Sequence, residues 1–212
     1  MKQKINMTKK TQLTDLPEII LASSSPFRQA QLKTLQLPFK THSPNVDERV
    51  LEGESVIEMV KRLSLLKAQT VAEQYPNAII IASDQSAEFE GQAIGKPHTL
   101  SNATKQLAQF SGQKVQFHTG LAVISPKQPE PLLYLETTDV HFRTLNAGKI
   151  KRYLEMEQPL NCAGSFKSEG LGVTLFERID SRDANSLIGL PLMGLTDLML
   201  ELGYELPLMD SA

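Results

Sequence analysis

The chain has 212 residues, of which 41% are hydrophobic and 22% are charged. These values are ordinary for a folded globular protein, so fibrous and broadly disordered classes are excluded. The net charge of -2 lacks the basic excess of most nucleic-acid-binding domains, although a few clustered cations can still bind a small anion. The single cysteine, Cys162, excludes an internal disulfide and a cysteine-based zinc site. No stretch of the sequence is apolar enough to predict a membrane span.

The sequence predicts one folded domain that follows a polar N-terminal tail. Residues 1–15 are polar and rich in lysine but lack the apolar stretch of a secretory signal, so we expect a disordered N-terminal tail. Residues 16–206 are expected to form a single domain with two lobes, and the default location is cytoplasmic.

Strands and helices alternate in the first half of the predicted structure. The β-branched segment Glu18–Ala22 predicts a buried strand, and a helix capped by Ser25 follows it. The longest helical pattern covers about 55–74, where apolar residues recur at 3- and 4-residue spacing. The strongest strand candidate is 78–82 (A-I-I-I-A), and 88–91 predicts a hairpin turn.

Alternating strands dominate the next part of the chain. A helix capped by Ser101 is expected first. Strands over 115–124 and 133–142 are then expected to pair as an antiparallel hairpin across a proline-containing loop at 126–131. Asn146 caps a further predicted helix. The predicted fold is therefore α/β, with a mixed twisted sheet, flanking helices and a cleft.

The junction between the first strand and the first helix is a candidate phosphate site. A helix N-terminus presents free backbone N–H groups and the positive end of the helix dipole. Ser23 adds a hydroxyl donor, and Arg28 can make a forked, charge-assisted contact with phosphate oxygens. A plain capped surface helix with a solvated arginine would have the same sequence.

Asp84 is the main candidate carboxylate, because it comes directly after the predicted strand 78–82. Ligands of open α/β folds usually bind beyond the carboxyl ends of the strands. There Asp84 could act as a general base or hold a divalent metal, and Glu48 offers a second carboxylate. Asp84 could equally do no more than cap a turn.

Two lysines and one loop complete the set of candidates. Lys96 lies in a G-K-P turn that lacks the glycine spacing of a P-loop, and Lys67 lies on the longest predicted helix; both could contact phosphate as point charges. The polar segment 165–170 lies between Gly164 and Gly172, which indicates a shaped loop.

The order of these segments along the chain is more specific than any one of them. They are L-A-S-S-S-P-F-R (21–28), V-D-E (46–48), S-D-Q (83–85), G-K-P (95–97) and S-F-K-S-E-G (165–170). Together they resemble the Maf family of nucleoside triphosphate pyrophosphatases, from Ile19 to about Leu206. Within this family the sequence resembles the subgroup that acts on 7-methyl-GTP.

The resemblance implies a fold like that of the inosine-triphosphate pyrophosphatases, with the nucleotide in a cleft between two lobes. It implies hydrolysis between the α- and β-phosphates, which gives a nucleoside monophosphate and pyrophosphate and uses a divalent metal, Mg²⁺ or Mn²⁺. Asp84 matches the family's proton acceptor, and Glu48 and Asp84 would be metal ligands. The residues expected to bind phosphate are Ser23, Arg28, Lys67 and Lys96.

Phe27, Gln85 and Glu169 fall at the positions that separate the subgroups of the family. The subgroup that prefers dTTP and UTP carries Arg, Thr and Gln there. Physical chemistry favours the 7-methyl-GTP assignment, because N7-methylation makes guanine cationic and an aromatic face such as Phe27 then gains a cation–π interaction. Glu169 can accept hydrogen bonds from the guanine N1–H and amine, which a pyrimidine would leave poorly paired.

The chain departs from the 7-methyl-GTP subgroup at two positions. Gln29 stands where a second arginine is common, and Leu66 stands where glutamate is common. Neither changes Asp84, so we expect activity. The alternatives are a pyrophosphatase for dTTP, UTP or a broader set of modified nucleotides, and a non-catalytic nucleotide-binding regulator of cell division. The expected partner is a nucleotide substrate, without a nucleic-acid polymer or a membrane, and a homodimer is left open.

Overall fold

The computed structural model describes residues 16–208, so the tail expected at 1–15 lies outside the described residues. This part of the chain forms a mixed sheet with helices packed against it. Its strands are β1 (Ile19–Leu21), β2 (Lys40–Thr41), β3 (Ile79–Phe89), β4 (Gln92–Ile94), β5 (Lys114–Ser125), β6 (Gln128–Phe142) and β7 (Phe176–Asp180). The strand order is β2-β1-β3-β5-β6-β7, with β4 paired to β3. Strand β1 is parallel to β2 and β3, and the other pairings are antiparallel.

The helices of the described chain connect these strands. They are α1 (Pro26–Lys33), α2 (Val56–Ala72), α3 (Leu100–Phe110), α4 (Ala147–Glu157) and α5 (Leu192–Glu201). Short 3-10 segments cover Ala163–Ser165, Leu171–Leu175 and Ala184–Ile188. The predicted α/β class with a mixed sheet and flanking helices is confirmed. None of the described helices combines the length and apolar character needed to cross a membrane.

Side-chain caps fix where the helices begin. Ser25 caps α1 as predicted, because its Oγ accepts the Arg28 N–H at 3.4 Å. The cap expected for α3 at Ser101 is wrong: Thr99 Oγ1 accepts the Asn102 N–H at 3.2 Å, which leaves Ser101 inside the first turn. Thr99 is in the extended conformation that a capping residue needs.

The long strands β3 and β5 each contribute to more than one hydrophobic core. On β3, Ile81 lies in a core with α1 and α5, whereas Ala87 lies in a core with α3 and α4. On β5, Leu121 and Phe117 divide between the same two cores. The shared strands β3 and β5 therefore connect the helices α1 and α5 with the helices α3 and α4.

Strand β3 is longer than the sequence indicated. The predicted strand stopped at Ala82, which would place Asp84 beyond its end, but β3 continues to Phe89 and Asp84 pairs with Gly120 in mid-strand. Polar residues are tolerated there because other elements satisfy them. Ser83 Oγ, for example, lies 2.8 Å from the carbonyl oxygens of both Gly120 and Gly189.

The proline-containing loop is also shorter than expected. The turn is confined to Pro126 and Lys127, and β6 begins at Gln128, so Pro129 and Pro131 lie within the strand. The register shifts after Val123, and this irregularity accommodates residues that cannot donate a ladder hydrogen bond.

Candidate active site

One cleft of about 960 Å³ collects the predicted site residues from separate parts of the chain. It is lined by α1, α2, β3, the turn after β4 and the 161–169 loop, among other segments. Every predicted site residue is on its wall: Ser23, Phe27, Arg28, Glu48, Lys67, Asp84, Gln85, Lys96 and Glu169. Such a volume falls in the range of pockets that enclose small-molecule ligands.

Lys67 joins the two predicted carboxylates at the centre of the cleft. Its Nζ lies 2.5 Å from Asp84 Oδ1 and 2.7 Å from Glu48 Oε1. Lys67 and Asp84 are only 5% and 7% exposed, whereas the Glu48 side chain is 56% exposed. A buried ammonium with two carboxylate partners is well compensated, so this group has a defined position before any ligand binds.

The charge of Glu48 is set by this contact. Partial burial raises the pKa of Glu48, but the hydrogen bond and charge of Lys67, together with the charges of Lys96 and Arg28, outweigh it. The pKa of Glu48 therefore lies below its ordinary value. Glu48 is an anion near neutral pH.

Asp84 has one carboxylate oxygen to spare. Oδ1 accepts from Lys67, and Oδ2 has no hydrogen-bond donor among the residues that the structure describes. Because Asp84 lines the cleft, Oδ2 can accept a proton from a water bound there.

Asp84 and Glu48 are the carboxylates at the centre of the cleft that could hold a metal. Within residues 16–208 there is no group of three or more His, Cys, Asp or Glu side chains that could hold a metal by itself. Mg²⁺, however, is usually bound through one or two carboxylates, with phosphate oxygens and water as the other ligands. Asp84 and Glu48 lie close enough to share one ammonium, so their remaining oxygens fit a metal that binds together with a polyphosphate.

Arg28 presents a guanidinium to the cleft with most of its donors unused. Its Nε donates to the Gly189 carbonyl oxygen at 2.8 Å, and its terminal nitrogens have no hydrogen-bond acceptor among the described residues. Burial lowers the pKa of Arg28, against the opposing effect of Asp84 and Glu48. A half-buried cation with free donors is suited to an anionic ligand. No local pattern in the sequence indicates that Gly189 would orient Arg28.

Two further polar groups face the same region. Ser23 is buried, and its Oγ accepts from the Ser25 N–H at 3.1 Å, which leaves the hydroxyl proton able to donate. Lys96 is exposed in the turn after β4 and has no ion pair within the described chain. Together with Arg28 they supply donors for several phosphate oxygens.

The groups predicted to select the base differ in how firmly they are held. Phe27 is half-buried on α1, and Glu169 is exposed in the loop after Phe166. Gln85 Nε2 lies 2.7 Å from the Ser186 carbonyl oxygen and 3.1 Å from Thr119 Oγ1. The Gln85 amide nitrogen thus anchors the Ala184–Ile188 segment, and Oε1 is the atom left for a ligand.

The fold places the chain in a known structural class. The solved structure of the Staphylococcus aureus Ham1 protein superposes with a TM-score of 0.50 at 16% identity, over 87% of this chain and 99% of that chain. This similarity concerns the fold alone, and it confirms the predicted inosine-triphosphate-pyrophosphatase-like architecture.

Sequence comparison then gives the family. A family model described as "Maf-like protein" matches residues 18–202, and the chain belongs to the Maf family. A relative from Hydrogenovibrio crunogenus is 56% identical over 91% of this chain and 96% of its own length. One from Pseudomonas aeruginosa is 48% identical over 91% of this chain and its full length. Both relatives are named 7-methyl-GTP pyrophosphatase, so the predicted resemblance is confirmed.

Proposed function

We propose that this protein hydrolyses 7-methyl-GTP to 7-methyl-GMP and pyrophosphate, and so clears a modified nucleotide. The main support is the content of one cleft, where Asp84 and the cations Arg28 and Lys96 share a wall with Phe27 and Glu169. Relatives of this name that are about half identical along most of the chain support the same substrate.

The reaction needs a nucleophile and a proton acceptor. A water oxygen attacks the α-phosphorus, the bond from this phosphorus to the oxygen that bridges the α- and β-phosphates breaks, and pyrophosphate leaves with the bridging oxygen. Asp84 Oδ2 takes the proton that the water loses. Lys67 holds Asp84 Oδ1 and thereby fixes the carboxylate in the cleft.

The cations of the cleft bind the triphosphate. Arg28 and Lys96 offset the negative charge that develops on the leaving pyrophosphate, and Ser23 donates a hydroxyl hydrogen bond near the N-terminus of α1. Lys67 is the buried point charge between the phosphates and the carboxylates.

Asp84 and Glu48 would hold a divalent metal, Mg²⁺ or Mn²⁺, together with the phosphates. When bound, the metal supplies additional positive charge at the phosphoryl oxygens. Their shared contact with Lys67 and the scarcity of other carboxylates in the cleft support this assignment.

A second group of residues in the same cleft reads the base. Phe27 stacks on the cationic 7-methylguanine ring, Glu169 accepts from its N1–H and amine, and Gln85 completes the set through Oε1. A pyrimidine offers neither the positive ring nor this pair of donors. Specificity for dTTP, UTP or other modified nucleotides, and a non-catalytic regulatory role in cell division, remain the alternatives.

The proposed substrate indicates the cellular compartment in which the enzyme works. We propose a cytoplasmic enzyme because the pool of nucleoside triphosphates is in the cytoplasm. The lone, half-buried Cys162 is also compatible with a reducing compartment. The proposed reaction needs neither a nucleic-acid polymer nor a membrane as partner. Whether the protein forms a homodimer is a question for a measurement of its mass in solution.

The test is pyrophosphate release from 7-methyl-GTP, GTP, UTP, dTTP and CTP, with Mg²⁺ and then Mn²⁺. Preference for 7-methyl-GTP is expected. Preference for UTP or dTTP would keep the pyrophosphatase chemistry but overturn the base assignment. Binding without release from any nucleotide would favour the regulator.

A further inference from the structure

The loop that carries Glu169 is fastened at both ends to one side chain outside the cleft. Glu157, the last residue of α4, accepts from Lys167 Nζ at 3.1 Å through Oε1 and from the Leu171 N–H at 2.7 Å through Oε2. Lys167 Nζ also donates to the Glu157 carbonyl oxygen at 3.1 Å. The residues between these two anchors are Ser168, Glu169 and Gly170.

The position of Glu157 is not explained by the helix it ends. A carboxylate in the last turn lies near the negative end of the helix dipole, which disfavours it. Burial raises the pKa of Glu157, yet the Leu171 N–H and Lys167 outweigh this and hold it below its ordinary value. The contacts with the loop therefore compensate for an otherwise unfavourable site.

The loop is packed closely against this carboxylate. A Cβ added at Gly170 would lie 2.6 Å from Glu157 Oε2, so glycine is what allows the backbone to approach. At the start of the loop, the Lys167 N–H donates to the Tyr153 hydroxyl at 3.1 Å. By contrast, Glu169 itself is exposed, and its one hydrogen bond in the described chain comes from the neighbouring Ser168 at 3.4 Å. The direction of Glu169 therefore depends on how firmly its backbone is held.

We propose that Glu157 is a positioning residue for base specificity, which acts through the loop to hold Glu169 where it meets the guanine edge. The proposal rests on the proposed function, since it assumes that Glu169 reads the base. Glu157 does not line the cleft, so it cannot contact the nucleotide directly. Loosening the loop lowers the fraction of molecules in which Glu169 is correctly placed. Asp84 and Lys67 have no hydrogen bond with the loop in the described chain, so they should be unchanged.

The experiment compares kcat/KM for 7-methyl-GTP with kcat/KM for UTP in the wild type and in Glu157→Gln. The substitution keeps the shape of the side chain but removes the carboxylate that bridges Lys167 and Leu171. We expect the ratio of the two values to fall about tenfold, the effect of one charge-assisted hydrogen bond, with kcat for UTP unchanged. Glu155→Gln is the matched control, because Glu155 lies on the same helix in an exposed 3.8 Å ion pair with Lys151.

A second substitution distinguishes positioning from a general loss of stability. In a Glu169→Gln background, Glu157→Gln should lower the ratio no further, because its effect passes through Glu169. An equal further fall in that background, an unchanged ratio in Glu157→Gln alone, or an equal fall in Glu155→Gln would each overturn the proposal. If Glu157→Gln does not fold, Glu157→Asp replaces it, because aspartate keeps the charge but is too short to reach both anchors. The ratio of kcat/KM for 7-methyl-GTP to kcat/KM for UTP is then measured in this variant. A wild type without preference for 7-methyl-GTP would overturn the proposed function, and the positioning role with it.

Discussion

Gly120 stands directly opposite Asp84 in the pairing of β3 with β5, and its lack of a side chain brings α2 against the sheet. A Cβ at Gly120 would lie 2.6 Å from the Val60 carbonyl oxygen and 2.9 Å from Ser64 Oγ. Because Val60 and Ser64 precede Lys67 on α2, this close contact sets how far Lys67 reaches toward Asp84. A glycine that touches no ligand thus helps to build the centre of the cleft.

Gly120→Ala should therefore damage both stability and activity. The added methyl group meets backbone rather than a flexible side chain, so α2 must shift, and such overpacking typically costs about 1–3 kcal/mol. In a domain of this size we expect the melting temperature to fall by about 2–12 °C. Displacement of Lys67 should also lower kcat for 7-methyl-GTP.

Gly148→Ala is the control for this substitution. Gly148 lies near the start of α4, where the nearest atoms to an added Cβ are side-chain atoms of Arg152 and Asn146 at 3.4 Å. Alanine there should be neutral or stabilising. An unchanged melting temperature in Gly120→Ala would show that α2 does not depend on this contact.

Asp84→Asn should nearly abolish pyrophosphate release while the fold is retained. Loss of a general base typically lowers kcat by about 10²–10⁴-fold, and asparagine cannot accept the proton. The fold should persist because Lys67 keeps its ion pair with Glu48. Steady-state kinetics and a melting curve check the two expectations together.

Glu88→Gln is the matched control for Asp84→Asn. Glu88 is a carboxylate on the same strand, but it pairs with His118 at 3.1 Å and does not line the cleft. Its kcat should remain near that of the wild type. Wild-type kcat in Asp84→Asn would remove this residue from the chemistry.

Local signals in the sequence were sufficient for most parts of the fold that depend on nearby residues, although the cap of α3 is Thr99 and not Ser101. Ser25 before Pro26 predicted the start of α1, and apolar spacing predicted α2 within a few residues. The end of β3 could not be predicted in the same way, because Ser83 and Gln85 find their partners on distant segments. Strand β7 was missed for the same reason, since its pairing with β6 is the contact that defines it.

The site follows a similar division. Its motif residues were identified in sequence, and all of them line the cleft. The residues that orient them were not identified: Gly189 directs Arg28, and Glu157 holds the loop around Glu169. The contact of Arg28 with Gly189 joins residues 161 positions apart, and the contact of Glu157 joins a helix end to a loop, so no local sequence pattern indicates either.

Phe27→Ala should weaken the use of 7-methyl-GTP more than the use of UTP. Stacking of a base on an aromatic side chain is worth about 1–3 kcal/mol, and the cationic ring adds a cation–π contribution that uracil lacks. We therefore expect kcat/KM for 7-methyl-GTP to fall about 5- to 150-fold, with a smaller fall for UTP.

Two further variants at this position separate the π face from apolar volume. Phe27→Leu keeps apolar volume without the aromatic face and should resemble Phe27→Ala, whereas Phe27→Trp should retain or improve discrimination. Equal losses for 7-methyl-GTP and UTP in Phe27→Ala would contradict a stacking role.

The ion pair of Glu157 with Lys167 should also be visible in the pH dependence of stability. The pKa of Glu157 in the folded protein lies below its ordinary value of 4.5, so the fold favours the ionised carboxylate. Its stabilising contribution is therefore complete well above pH 4.5 and is lost as the pH falls through the lower folded-state pKa. We expect the free energy of unfolding of the wild type to exceed that of Glu157→Gln by a constant amount near neutral pH, and the difference to shrink steadily in acid. Urea unfolding of both proteins from about pH 7 down to about pH 3 measures this difference. If the free energies of unfolding of the two proteins run parallel over the whole pH range, the ionised state of Glu157 does not stabilise the fold. The contacts with Leu171 and Lys167 would then not hold the loop through charge.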